Sequence, residues 1–346
     1  MKQRNIFRKI LWFGFVFFAV ALSTAVTFAV VSSDSNLLGA KFGEAFDEAA
    51  QAWEGKQGQE PVTMLFTGDM MLGRYIAVLS ERNAETAPDF PFTYMPDILT
   101  EAASRLDLES ADEIDLVVGN LEGPITNSTY VNPGTSMIFN FQPEVADLLA
   151  KVGFTTLDMA NNHVFNQGRQ GLDQTYNYLQ AAGLEGFGHP DTPDGAYSFT
   201  SYEFPTMTIG FLGLNDTDYA LDEDGARAKI AQLNEEVDFL VVGIHWGVEY
   251  EVAARDWMVD LAHSFVDSGA DMVWGHHPHV IQNWELYQGA PIYYSLGNFV
   301  FDQYWSAATQ EGLVVAIKIE GDKITTSEIY VDLVNQGEPK VREEVL

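Results

Sequence analysis

Apolar positions along this chain follow two rhythms. Short uninterrupted apolar runs predict buried strands at Val62–Thr67, Leu116–Gly119, Thr155–Met159, Phe239–Ile244, Met272–Trp274 and Ile292–Leu296, since a strand covered on both faces has no polar side. Between several of them the spacing becomes helical, at Pro143–Val152, Gly171–Ala182, Gly225–Glu236 and Ala253–Ser268. In the last segment Trp257, Met258, Leu261, Ala262, Phe265 and Val266 share one face. Strands alternating with helices predict an α/β domain with a largely parallel sheet. Ser198–Gly213 and Leu313–Leu333 instead alternate residue by residue, the second around a Gly-Asp-Lys turn at 321–323. That pattern predicts antiparallel pairing and a second or mixed sheet packed on the first.

The N-terminal part follows neither rhythm. Ile10 to Val31 carries no charged side chain. A membrane-spanning helix needs about 20 apolar residues, whereas the core of a cleavable signal peptide needs about 7–15. The length therefore predicts an uncleaved single-pass anchor over residues 1–31 in preference to a cleaved signal. Lys2, Arg4, Arg8 and Lys9 then stay cytoplasmic, and the rest of the chain lies outside the cell membrane. Residues 32–60 are polar, with Phe42, Phe46, Ala49, Ala50 and Trp53 at helical spacing, and read as a stalk or linker. Residues 61–346 form the folded domain.

Composition narrows the chemistry. Cysteine is absent, which excludes disulfides, zinc–thiolate sites, Fe–S clusters and thiol nucleophiles, so any metal must be held by nitrogen and oxygen. Outside residues 1–31 there are 14 basic against 50 acidic residues, a balance of −36. Such a surface lacks the cationic patches that phosphate backbones require, and nucleic acid is excluded as a partner.

Five of the seven histidines fall at three places, each directly after an apolar run: His163 in ANNH, His245 in GIHWG, and His276, His277 and His279 in GHHPH. Neutral imidazole is the commonest nitrogen ligand for metals, and α/β sheets present functional residues at the carboxyl ends of their strands. Asp69 in TGDMMLGR and Glu122 in GNLEGP occupy equivalent strand ends, and Asn161 and Asn162 precede His163. Taken singly, most of these are ordinary turn chemistry. Gathered at one end of successive strands, they predict a metal site. His189 and His263 carry no such context and read as a loop and a helix-surface residue.

The segments TGDMMLGR, NLEGPIT, ANNHVFNQGRQGL, GIHWGVEY, GADMVWGHHPHVIQ and YSLGNFVFD resemble the bacterial capsule-synthesis family of the CapA (PGA_cap) type, within the calcineurin-like metallophosphoesterase superfamily. They run in family order from about residue 61 to 302. The resemblance implies a four-layer α/β/β/α sandwich behind the N-terminal transmembrane helix. It implies metal ligands Asp69, Glu122, Asn162, His245, His277 and His279, with His163 as catalytic proton donor to the leaving group. His277-Pro-His279 best fits its Gly-His-x-His pattern. Arg74, Asn298 and Tyr250 lie in matching segments, where Arg74 and Asn298 are expected to bind an anionic substrate.

Two departures stand out. Asp69 is followed by Met70 and Met71 where the superfamily has Asp-x-His, and Asn120 replaces the bridging aspartate. One or two divalent ions (Mn, Fe or Zn) are expected, the mixed donor set suiting all three. The implied function is that of a membrane-anchored, metal-dependent phosphoesterase-like hydrolase of poly-γ-glutamate capsule synthesis, acting on a phosphate ester or a polymer-related substrate. The alternatives are a non-catalytic subunit of a membrane synthase or export complex, whose metal is structural or polymer-binding, and a surface binding protein with a structural metal.

Overall fold

The computed structural model describes residues 60–128, 137–189, 192–217 and 220–343. The expected anchor over residues 1–31 and nearly all of the stalk lie outside them. Among the described residues no helix is long and apolar enough to cross a membrane. One compact unit comprises Val62–Ile319 and Lys323–Leu346.

The elements run in chain order as β1 (Val62–Met70), α1 (Arg74–Asn83), α2 (Met95–Arg105), β2 (Leu116–Leu121), α3 (Glu144–Lys151), β3 (Thr156–Asp158), α4 (Gly168–Ala181) and β4 (Glu185–Phe187). They continue with β5 (Phe199–Glu203), β6 (Thr208–Asp216), α5 (Glu223–Leu233), β7 (Phe239–Trp246), α6 (Asp256–Ser268), β8 (Met272–His276), β9 (Trp284–Tyr287) and β10 (Ala290–Tyr293). The last are β11 (Asn298–Val300), β12 (Glu311–Glu320), β13 (Lys323–Val334) and β14 (Glu338–Val341).

Two mixed sheets result. One has the order β14-β13-β12-β1-β2-β3-β4 with β11 beside β1, the other β5-β6-β7-β8-β10-β9. The predicted alternating segments do not build a sheet of their own. β12 extends the first sheet antiparallel to β1, and β5 extends the second antiparallel to β6. Each parallel core is thereby flanked by antiparallel strands, which need no crossover helix.

Three apolar layers hold the unit together. Met64, Phe66 and Val118 of the first sheet meet Phe211, Val241 and Trp274 of the second in one layer, so the sheets pack face to face. On the outer side of the first sheet, Leu65, Val117 and Leu157 bury Ile76, Ile98, Leu149 and Leu172 from α1, α2, α3 and α4. On the outer side of the second, Leu240, Val242 and Val273 bury Ile230, Met258 and Phe265 from α5 and α6. This double coverage is why β1, β2, β7 and β8 are buried at every position and read as continuous apolar runs.

Both sheets direct their carboxyl ends at one place. A bulge in β1 between Phe66 and Asp69 shifts its register against β2 and re-aims the last residues. Gly68 is obligatory there, because a Cβ would sit 2.1 Å from the Gly297 carbonyl oxygen. That same carbonyl accepts the Asp69 N–H at 2.9 Å. Gly275 makes the matching close approach to Tyr294 one residue before His276.

Candidate metal centre

Asp69 closes β1 and is wholly buried. Its Oδ1 accepts from Asn120 Nδ2 at 2.8 Å and His276 Nδ1 at 3.0 Å. Its Oδ2 accepts from the His277 N–H at 3.2 Å and lies 3.2 Å from His279 Nδ1. A carboxylate offers about four lone-pair sites, and three of them are taken. Burial opposes ionisation, but the hydrogen bonds and charge of His276 and His279 hold this carboxyl well below the usual carboxylate range. Asp69 thus orients the imidazoles, while it also lies with Glu122 and His279 in a group whose ligand atoms are within 4.8 Å of one another.

Glu122, just beyond β2, is equally buried, and neither oxygen has a hydrogen-bond partner. Burial pushes its carboxyl well above the usual range, the charge of His279 opposing and those of Asp69 and Glu249 adding. Isolated buried carboxylates are costly unless paired or metal-bound. The same deficit recurs nearby: Asn162 Oδ1, both ring nitrogens of His245, His276 Nε2 and His277 Nδ1 are buried without partners. Burial pushes the His277 imidazole down to about 4 and that of His245 well below its usual value, so both present neutral rings. The His245 and His277 rings are 4.9 Å apart, and His245 lies beside His276 in the β7–β8 register. Neutral imidazole, carboxamide and carboxylate atoms lacking partners at these strand ends are a donor set that fits a divalent cation.

The tautomers follow from the network. Asn298 gives both Nδ2 protons to Gln303 Oε1 at 3.0 Å and the Thr309 carbonyl at 2.8 Å, so its Oδ1 is the acceptor for His279 Nδ1 at 3.1 Å. His279 therefore turns Nε2 toward Glu122, 3.7 Å from its Oε1. Burial opposes protonation of His279, yet Glu122 and Asp69 carry it up to about 9. Likewise Asn166 Oδ1 accepts the Phe139 N–H at 2.6 Å and contacts His163 Nδ1 at 3.1 Å, so that nitrogen carries the proton. His163 Nε2 then faces Glu122 Oε1 at 3.7 Å, with the ring 4.0 Å from that of Phe139 and tilted 31° to it. Burial pushes this imidazole down to about 4.

Not every expected residue lies as anticipated. Asn298 is fully buried with its amide engaged as above, so it positions His279 and has no free atom for a substrate. Arg74 is also buried, paired with Asp302 and held over the rings of Phe139 and Phe301 at 5.2 and 5.8 Å. Asn161 is spent on structure, donating to Asn120 Oδ1 and the Leu121 carbonyl, which leaves Asn162 as the residue with a bare oxygen. Asn120 has both amide atoms engaged, with Asp69 and Asn161. His276, passed over for His277 and His279, is as buried as they are and has an unpartnered Nε2. His263 lies elsewhere, against Glu285 and Tyr287. His189 lines a cavity of about 240 Å³ with Asp194, Asn215 and Asp222.

Sequence reasoning missed Glu249 and Asp302. Both lie in loops inside the segments GIHWGVEY and YSLGNFVFD, which mark them, but their roles arise from contacts with distant segments. Backbone strain does mark the site: Arg74, Tyr250, His277 and His279 all have positive φ, at 46°, 68°, 93° and 57°. Such conformations cost about 1–3 kcal/mol each in non-glycine residues and persist where surrounding structure imposes them.

Residues 63–303 match the family described as bacterial capsule synthesis protein PGA_cap. The chain is 31% identical over 264 residues to the PGA biosynthesis protein CapA of Bacillus subtilis (strain 168), covering 72% of this chain and 66% of that protein. It is 27% identical over 301 residues to the capsule biosynthesis protein CapA of Bacillus anthracis, covering 81% and 69%. The chain thus spans just under two thirds of the first relative's length. Among solved structures it resembles a novel phosphatase from Mycoplasma pneumoniae, at 14% identity and a TM-score of 0.50 over 79% of this chain and 94% of that one. It also resembles a hypothetical protein from Thermus thermophilus, at 16% identity and a TM-score of 0.51 over 78% and 99%. At these identities the likeness is one of fold. On the extent of the family match the chain belongs to the bacterial capsule synthesis proteins, and it shares its fold with the Mycoplasma phosphatase.

Proposed function

We propose that this protein is a membrane-anchored, extracytoplasmic, metal-dependent phosphoesterase-like hydrolase that serves poly-γ-glutamate capsule synthesis. The observation that carries the reading is the set of buried, partnerless ligand atoms on Glu122, Asn162, His245, His276 and His277, gathered where both sheets end. These residues and His279 would hold one or two divalent cations of the Mn, Fe or Zn class, with Asp69 fixing the imidazoles. A bound cation supplies Lewis acidity and a water whose pKa falls to about 7. The chain's own part is positioning and proton transfer. His163, held by Asn166 through Nδ1, presents Nε2 to the centre, and an anionic substrate would favour its protonated form for delivery to a leaving oxygen. Arg74, fixed by Asp302, sets a positive charge near Glu122 and the substrate's anion.

The test is hydrolysis of aryl phosphate mono- and diesters by the metal-loaded chain. Activity that His163→Ala reduces by about 10²–10⁴ with metal content unchanged supports the reading. Loaded protein inactive on both esters, with His163→Ala silent, removes the catalytic part. A second reading, a non-catalytic subunit of a polymer synthase whose cation is structural or contacts the polymer, draws on the names of the Bacillus relatives. Retained metal with no turnover, together with co-purification of membrane partners, would favour it.

A further inference from the structure

We infer that Glu249 is a metal ligand of this centre, closing the solvent side of a divalent cation held by His277 and His279. The inference rests on the metal-centre reading above and adds a residue to it. Glu249 lies in the loop after β7, on the second sheet, and outside the ligand set expected from the motifs. Its carboxylate and the rings of His277 and His279 place their ligand atoms within 4.8 Å of one another. His277 Nδ1 is buried and has no partner, so one corner of this triangle demands something the protein does not supply.

Glu249 is held there by the backbone. The Tyr250 N–H donates to the Pro278 carbonyl at 2.8 Å, between the two histidines. Gln282 Nε2 donates to the Glu251 carbonyl at 2.7 Å, and the Ala254 N–H to Asn283 Oδ1 at 3.0 Å. Three bonds therefore latch the loop after β7 to the segment after β8. His277, His279 and Tyr250, the residue after Glu249, all have positive φ at this latch, strain that presets the two imidazoles and the backbone beside Glu249. The first sheet cannot provide the missing carboxylate at Asn120, whose amide is consumed by Asp69 and Asn161. Glu249 supplies one from the opposite sheet. Hard divalent cations prefer such oxygen, and a carboxylate at the mouth adds the charge that neutral imidazoles lack.

The experiment titrates Mn²⁺ alone into the metal-stripped full chain by calorimetry, comparing wild type with Glu249→Gln, Glu249→Asp and Glu251→Gln. Glutamine preserves shape and hydrogen bonding to Tyr250 but ligates weakly. Glu251, exposed and paired with Arg255 in the same loop, controls for the general loss of one negative charge. Ligation predicts that Glu249→Gln weakens Mn²⁺ binding at least about tenfold, that Glu249→Asp falls between, and that Glu251→Gln stays within about twofold. Equal affinities for wild type and Glu249→Gln overturn the role of Glu249 and leave the metal centre standing. Parallel losses in Glu249→Gln and Glu251→Gln overturn it too, showing a diffuse charge effect. Wild type that binds no Mn²⁺ overturns the centre itself, and this inference with it.

Discussion

Asp69 closes β1 and Glu122 follows the end of the neighbouring parallel strand β2, both carboxylates completely buried, yet their surroundings are opposite. Asp69 accepts three hydrogen bonds, with His279 beside it, and is held ionised; Glu122 accepts none and is pushed toward its protonated form. Position at a strand end therefore does not define a role. The first carboxylate completes the protein's own network, and the second is completed only by something that binds. Asp158, at the end of the next strand, is a third case: buried, with only backbone donors, and pushed up to about 7 by burial against the N–H groups of Ala160 and Met159.

Breaking the satisfied end costs most. Asp69→Asn strips the charge that His276 and His279 share and leaves their protons unmatched. In chelator, denaturant unfolding should show a loss of about 3–5 kcal/mol, the usual cost of deleting one partner of a buried charged network. A loss below about 1 kcal/mol would show that the network is not stabilising.

Asp158 sharpens the comparison through pH. Its folded pKa, about 7, lies above the unfolded value of about 4. The unfolded chain therefore binds fewer protons between those limits, and stability falls as pH rises from about 4 to 7. Asp158→Asn should match wild type below about pH 4 and exceed it above pH 7 by up to about 4 kcal/mol, taking about 1.4 kcal/mol per unit. Parallel stability–pH curves for the two proteins would refute the burial account.

Asn298→Ala tests the support behind His279. It should lower stability by about 1–3 kcal/mol and weaken metal binding by about 10–100-fold, with no change in KM for small phosphate esters. A selective rise in KM would return Asn298 to the substrate. The smallest effect belongs to Glu122→Gln in chelator, where removing an unmatched acid should leave stability within about 1 kcal/mol of wild type or raise it. The same variant should lose most of the thermal stabilisation that Mn²⁺ gives wild type.

Much of this was legible in sequence where local pattern and chemistry coincide. The strands that carry Asp69, His245 and His276, and the one that ends just before Glu122, are continuous apolar runs because both faces are covered, and the runs stop where the site begins. What stayed hidden depends on contacts between distant segments. Asn298 resembles a substrate contact until Gln303, Thr309 and His279 are seen to occupy it. Glu249 acquires meaning only when the loop after β7 meets Pro278. β11 is three residues long, too short for a periodic signal, and α1 begins directly at Arg74, inside a segment read for its chemistry. The antiparallel strands were visible as alternation, but alternation does not say which sheet they extend.

The central claim is that the partnerless atoms around Glu122 form a cation site, and metal-linked proton release tests it most directly. Mn²⁺ should be titrated at neutral pH into the stripped protein in two buffers of different ionisation heat. The account predicts binding accompanied by release of at least one proton, because Glu122 is held toward its protonated form and His279 is raised to about 9. Glu122→Gln should bind more weakly and release fewer protons. No binding heat in either buffer, or tight binding with no buffer dependence and no response to Glu122→Gln, would contradict it.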